Sequence, residues 1–119
     1  MQYNLKHFAH IGDAVFELFV REHIINFAID QKIMHKMTIK FVNSNFQAEI
    51  LNNIQELLTE EEKELARRGR NLPITINKKS NPQIHRMATS FEVLIGFWYL
   101  NDKERLNFFF ENIKKYLNV

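Results

Sequence analysis

The chain has 119 residues and a formal net charge of +2, and 45% of it is hydrophobic, with eleven phenylalanines; this describes one domain with a substantial core and excludes wholesale disorder. It has no cysteine, which rules out disulfides and thiolate metal sites. Only three glycines and two prolines are present, a scarcity of turn residues that points to an all-α fold. The stretch Met1 to His7 lacks a charged-then-apolar leader pattern, and no apolar run approaches the roughly 18 residues of a membrane span. A cytoplasmic protein with no membrane partner is expected.

From about Leu5 to Ile29, Phe8, Ile11, Val15 and Leu18 recur at helical spacing, and Asp30 to Lys32 reads as a connection. A second helical pattern runs from about Met34 to Leu58, broken near Asn43 to Asn45. It carries two adjacent apolar rows, one through Met34, Met37, Phe41 and Leu51, the other through Ile39, Val42, Ile50 and Leu57. Such a broad face belongs to a helix central to a bundle or lying on a partner subunit. Thr59 and Glu62 form a capping box for a short helix from Glu60 to Arg68, with Gly69 expected as its left-handed stop. Arg70 to Ser80 has no period and reads as an exposed basic loop. Asn81 and Pro82 then open a helix to about Leu100, with Met87, Phe91, Leu94, Ile95 and Trp98 inward. Asn101 with Glu104 is expected to cap a last amphipathic helix carrying Leu106, Phe109, Phe110, Ile113 and Leu117. Residues 1–119 are therefore read as one domain, with no appended RNA-binding domain.

Two acids stand out. Asp13 lies in the apolar run Ala9 to Leu18, bordered on its helix face by Ala9, His10, Phe16 and Glu17. Glu92 lies in the run Thr89 to Trp98, bordered by Ala88, Ile95, Gly96 and Tyr99. Both are expected among buried residues, where a carboxylate is costly unless a cation or several donors compensate it. Neither run contains a lysine or arginine, so a shared hard cation is one reading, Mg²⁺ first. The other is that each acid faces solvent or a backbone donor. Glu17, one turn beyond Asp13, reads as support for a water or an arginine.

Between Leu65 and Phe91 there is no acidic residue, while Arg67, Arg68, Arg70, Lys78, Lys79 and Arg86 supply positive charge. This is either a solvated face or a surface for a phosphate backbone. The histidines show no zinc spacing; His10, beside the first acid, is a candidate accessory group. No glycine-rich phosphate loop and no serine elbow is present, so nucleotide hydrolysis and acyl transfer have no support.

The strings Ile11 to Leu18 (IGDAVFEL), Arg67 to Asn71 (RRGRN) and Gln83 through Arg86 to TSFEVLIGFWYL resemble, in order and over nearly the whole chain, the signature stretches of the Mini-ribonuclease III family. These are small relatives of ribonuclease III that consist of the nuclease domain alone. The resemblance implies a ribonuclease III-like helical domain working as a two-fold homodimer. It also implies that Asp13 and Glu92 are the catalytic, Mg²⁺-holding acids, and that Arg67, Arg68, Arg70, Asn71, Lys78, Lys79 and Arg86 seat double-stranded RNA. The implied product ends are 5′-phosphate and 3′-hydroxyl. The implied substrate is a paired region of precursor large-subunit (23S-type) ribosomal RNA, with a ribosomal-protein helper as a further expected partner. Where the larger enzymes carry a glutamate four residues before the first acid stands Ala9, and where they carry an aspartate three before the second stands Thr89. This thinning puts the number of metal ions in question. It also keeps open an alternative, a ribonuclease III-fold RNA-binding or ribosome-associated module that does not cleave.

Overall fold

The computed structural model describes residues 2–27, 30–73 and 81–118, and among them every regular element is helical. Helix α1 spans Leu5–Ile24, α2 Gln31–Phe41, α3 Ser44–Ile54, α4 Glu60–Arg70, α5 Pro82–Asn101 and α6 Lys103–Ile113; single 3₁₀ turns follow α3 and α6. The fold is the expected all-α domain. None of the described helices is long and apolar enough to cross a membrane.

Each start has a local cause. Asn4 accepts from the His7 backbone N–H and receives the His7 side chain on its own N–H, a reciprocal cap for α1. Asp30, Asn43 and Asn81 cap α2, α3 and α5 through their side-chain oxygens. The expected break near Asn43 is thus a true helix start. The Thr59–Glu62 box opens α4 as expected.

Four expectations are corrected. Helix α1 stops at Ile24 instead of Ile29. Asp30 is a cap, not a mere connection. The cap of α6 is Asp102, whose carboxylate accepts from the Arg105 N–H; Asn101 is still helical and turns its amide back onto the Phe97 carbonyl. Gly69 does not stop α4, because the helix continues to Arg70 and no described glycine has a positive φ. A side chain at Gly69 would come within 3.1 Å of the Ser90 Cα and 3.3 Å of Val93. Its smallness therefore serves the close packing of α4 on α5.

The core is built around α5. It packs against α1, α3, α4 and α6, and Phe91, Val93, Leu94, Ile95 and Trp98 are all buried, as expected of a helix that is apolar on nearly every side. Its tightest partner is α1. A Cβ on Gly12 would lie 2.8 Å from the Glu92 carbonyl carbon and 2.9 Å from the Gly96 N, and one on Gly96 2.6 Å from the Phe8 carbonyl carbon. The two backbones touch through this glycine pair. Phe8 meets the Phe97 ring at 5.5 Å, and Phe16 meets Phe91 at 5.0 Å, both edge to face. As α1 advances from residue 8 to 16, its partners on α5 recede from 97 to 91, so the helices run antiparallel.

On the opposite side of α5, Glu62 is nearly inaccessible and holds three elements together. Its carboxylate accepts from Trp98 Nε1 (2.9 Å), from Arg105 Nε and Nη2 (2.8 and 2.7 Å) and from the Thr59 N–H (2.8 Å). Burial pushes the Glu62 carboxyl up, but the Arg105, Thr59 and Trp98 bonds together outweigh it and hold it below the usual glutamate range.

Candidate metal-binding nuclease site

The Gly12–Gly96 contact sets the geometry of the acids. Asp13 follows the glycine whose Cα touches the Glu92 backbone, and the two carboxyl groups come within hydrogen-bonding reach of each other. Burial pushes the Glu92 carboxyl up, and the bond to Asp13 and its charge add to the effect, to about 9. Without a cation Glu92 therefore holds its proton at neutral pH. Asp13 itself is exposed, and Glu92 half-buried, which corrects the expectation that both acids are enclosed. Asp13 stands on the rim, with Glu92 drawn into the wall.

The acids line a shallow open cleft of about 360 Å³ with Lys6, Ala9, His10, Leu72, Pro73, His85 and Thr89. Two facing carboxylates are hard oxygen donors, and no soft ligand stands near. Among the described residues no group of three or more histidines, aspartates or glutamates could hold a metal by itself. The donor set fits an oxygen-preferring divalent ion that keeps most of its ligands from water and substrate. Ala9 and Thr89 add no carboxylate. The Thr89 hydroxyl is already committed, donating to the His85 carbonyl at 3.0 Å.

The basic residues divide. Arg67 and Arg70 line a groove shared with Leu51, Gln55 and Ser90, where Arg67 is engaged by Glu64 at 2.9 and 2.6 Å. Arg68, about 100° further round α4, lies in a separate groove with Leu65, Phe97 and Asn101. The Arg86 guanidinium donates to the Arg70 carbonyl at 3.2 Å, and the Asn71 N–H closes the last turn of α4. Arg70, Asn71 and Arg86 are thus brought together beside the segment Leu72–Pro73 that forms one wall of the cleft. Lys78 and Lys79 lie outside the described residues.

Sequence reasoning did not single out Lys6, His85 or Ser90. Ser90 is fully buried and donates to the Ala66 carbonyl at 2.7 Å, which pins α4, and with it Arg67 to Asn71, to the helix that carries Glu92. Lys6 and His85 each stand seven residues before an acid, a two-turn spacing readable from the sequence once the acids are taken as a pair.

The ribonuclease III domain model matches residues 6–103, which places this helical domain in the ribonuclease III class. A Mini-ribonuclease 3 of Clostridium tetani is 45% identical over 102 residues, covering 82% of this chain and 68% of the relative. That of a Thermoanaerobacter species is 42% identical over 115 residues, covering 93% and 75%. The crystal structure of a protein from Fusobacterium nucleatum superposes with a TM-score of 0.84 at 26% identity, covering 96% of this chain and 93% of the other. The chain belongs to the Mini-ribonuclease III family. It is an endoribonuclease, a hydrolase.

Proposed function

We propose that this protein is a Mg²⁺-dependent endoribonuclease that hydrolyses double-stranded RNA at the Asp13–Glu92 cleft, leaving 5′-phosphate and 3′-hydroxyl ends. The observation that carries the reading is the pairing of Asp13 with Glu92, close enough that Glu92 holds its proton to about 9. Two acids held this close at the edge of a core repel once both are ionised, and a bound hard cation relieves that repulsion. Asp13 and Glu92 would hold the metal; when bound, it offsets charge on the reacting phosphate and makes water a better nucleophile. To hold the cation Glu92 would give up the proton that burial and Asp13 favour in its absence. The chain's own contribution is position: the glycine contact fixes the spacing of the acids, and Leu72, Pro73 and Thr89 shape the walls. In the hydrolysis a water oxygen bonds to phosphorus, the bond to the 3′ oxygen breaks, and that oxygen leaves with a proton.

Residues 1–119 act as one catalytic domain in this reading. Arg67, Arg68, Arg70, Asn71 and Arg86, with Lys78 and Lys79, seat the duplex backbone. The natural substrate is a paired end region of precursor 23S-type ribosomal RNA. The working form is a two-fold homodimer, so that two sites each cut one strand. Support comes from the exposed apolar residues Leu18, Ile25, Phe27, Ile33 and Ile39, at 53–63% of their full area; a self-complementary interface would cover part of this exposed apolar surface.

The test is cleavage of a long perfect RNA duplex with and without Mg²⁺ by the native protein and by Glu92→Gln, which keeps shape and removes charge. Metal-dependent cutting that Glu92→Gln abolishes is expected. A folded native protein that binds the duplex and never cuts it would replace this reading with the non-cleaving module.

A further inference from the structure

Among the described residues, the cations that sequence reasoning nominated do not line the cleft of the acids. Arg67, Arg68 and Arg70 line other grooves, and Arg86 is turned to the Arg70 carbonyl. Among the described residues lining the cleft, Lys6, His10 and His85 carry side chains able to donate to a phosphate oxygen, and Lys6 and His85 are the two furthest in sequence from the acids. Lys6, His10 and Asp13 follow one another at four and three residues along α1, and His85, Thr89 and Glu92 do the same along α5, so each row lies along one face of its helix. Because α1 and α5 cross antiparallel at the acids, the rows leave the acid pair in opposite directions. Two turns of helix place each outer residue about 10 Å along the axis from its acid.

Lys6 also breaks a local rule. It lies in the first turn of α1, which has no acidic residue, at the end of the helix where the macrodipole disfavours a positive charge. No ion pair compensates it among the described residues. A residue placed against its helix's preference marks a site where something other than folding chose it. His85 is half-buried in the cleft wall, held there while its carbonyl receives the Thr89 hydroxyl.

We propose that Lys6 and His85 are the two ends of a backbone clamp: each binds a non-bridging oxygen of a phosphate on the RNA strand being cut, on opposite sides of the phosphate at Asp13 and Glu92. The proposal rests on the nuclease reading above and gives it a direction, since the cut strand runs along the cleft from one end residue to the other. The acids repel a polyanion, and the clamp supplies attraction at both ends of the same cleft. Neither residue touches the reacting phosphorus, so the clamp governs binding and register.

The experiment measures equilibrium binding of a labelled RNA duplex across a NaCl series, on a Glu92→Gln background without divalent cations so that strands stay intact. Lys6→Met and His85→Ala are each expected to weaken binding several-fold. Lys6→Met should also reduce the slope of log affinity against log salt by about one, the signature of one lost phosphate contact. Lys6→Arg and His85→Gln, which keep a donor at each end, should recover most of the affinity. Lys36→Met, a charge removed from exposed α2, is the control. Folding of each variant is checked by thermal melting. Binding by folded Lys6→Met and His85→Ala equal to the parent, or no weaker than Lys36→Met, overturns the clamp. In a parallel cutting assay the same changes on the native background should raise KM and leave kcat within a few-fold. Failure of the native chain to cut would overturn the nuclease reading alone, because the binding series judges the clamp without any cleavage.

Discussion

Replacing Gly12 by alanine tests how the site is built. The added Cβ would overlap the Glu92 carbonyl oxygen and stand 2.8 Å from its carbon, with the Gly96 N at 2.9 Å. All three are backbone atoms that no rotamer change can move, so α1 and α5 must separate. Overpacking of this kind costs about 1–3 kcal/mol, and a collision between two backbones belongs at the upper end. Alanine returns about 1 kcal/mol of helix propensity. The net loss is about 2 kcal/mol, or about 8 °C of melting temperature for a chain of this size. Gly96→Ala should match it, since its Cβ meets the Phe8 carbonyl and Ile11. Gly69→Ala, facing Ser90 and Val93 at 3.1–3.3 Å, should be near neutral because small shifts suffice and the propensity gain offsets them. Thermal melts of the three variants give the ranking. Well below the melting temperature, Gly12→Ala should still cut duplex RNA roughly a hundred-fold more slowly, the scale expected when reacting groups are displaced by about 1 Å. A Gly12→Ala protein that melts at or above the native temperature, or a Gly69→Ala protein as damaged as it, would refute this account of the α1–α5 contact.

Glu62→Gln should lower stability at pH 7 by about 2 kcal/mol in urea unfolding, since it weakens charge-assisted bonds to Arg105 and Trp98 that are largely shielded from water. Because the folded carboxyl is held below its unfolded value, its contribution is complete above the unfolded pKa and disappears as pH falls through the folded one. The gap between native and variant should therefore close below about pH 4; a gap constant with pH would count against the assignment. Under the proposed two-fold dimer, Ile25→Asp combined with Ile33→Asp should halve the mass seen by sedimentation; a native protein of monomer mass would refute the dimer, and a variant that keeps dimer mass would refute this interface. Arg70→Met together with Arg86→Met should weaken duplex binding uniformly across RNA sequences. Arg68→Met, in the groove with Phe97 and Asn101, should weaken it less, and equal losses would mean that the duplex spans both grooves.

The helix caps were legible because capping is local: Thr59 with Glu62 and Asn81 with Pro82 state their helix starts within four residues. The acids were legible as oddities in apolar runs, but their surroundings were not. Asp13 stands exposed on the cleft it lines, a fact of packing that periodicity does not contain. Gly69 was misread since a glycine after arginines looks like a helix stop, whereas the contact that requires it comes from Val93 and Ser90, in another helix. Glu62 was read as a cap and is one, but its bond to Trp98 depends on α5 arriving beside it. The cations from Arg67 to Arg86 read as one group in the sequence because they share a stretch of chain. Helical rotation divides them, and that division needs only the 100° step between Arg67 and Arg68.

The antiparallel seating of α1 on α5 also has a consequence for the order of events in synthesis. Asp13 and Glu92 are separated by roughly eighty residues of chain, and neither helix holds a complete site. A growing chain carries its first acid early and receives its second only when most of the domain has been made. Contacts between such distant segments form late in folding, so under the proposed function the two acids meet only when the last long helix docks, and the site is assembled in one step.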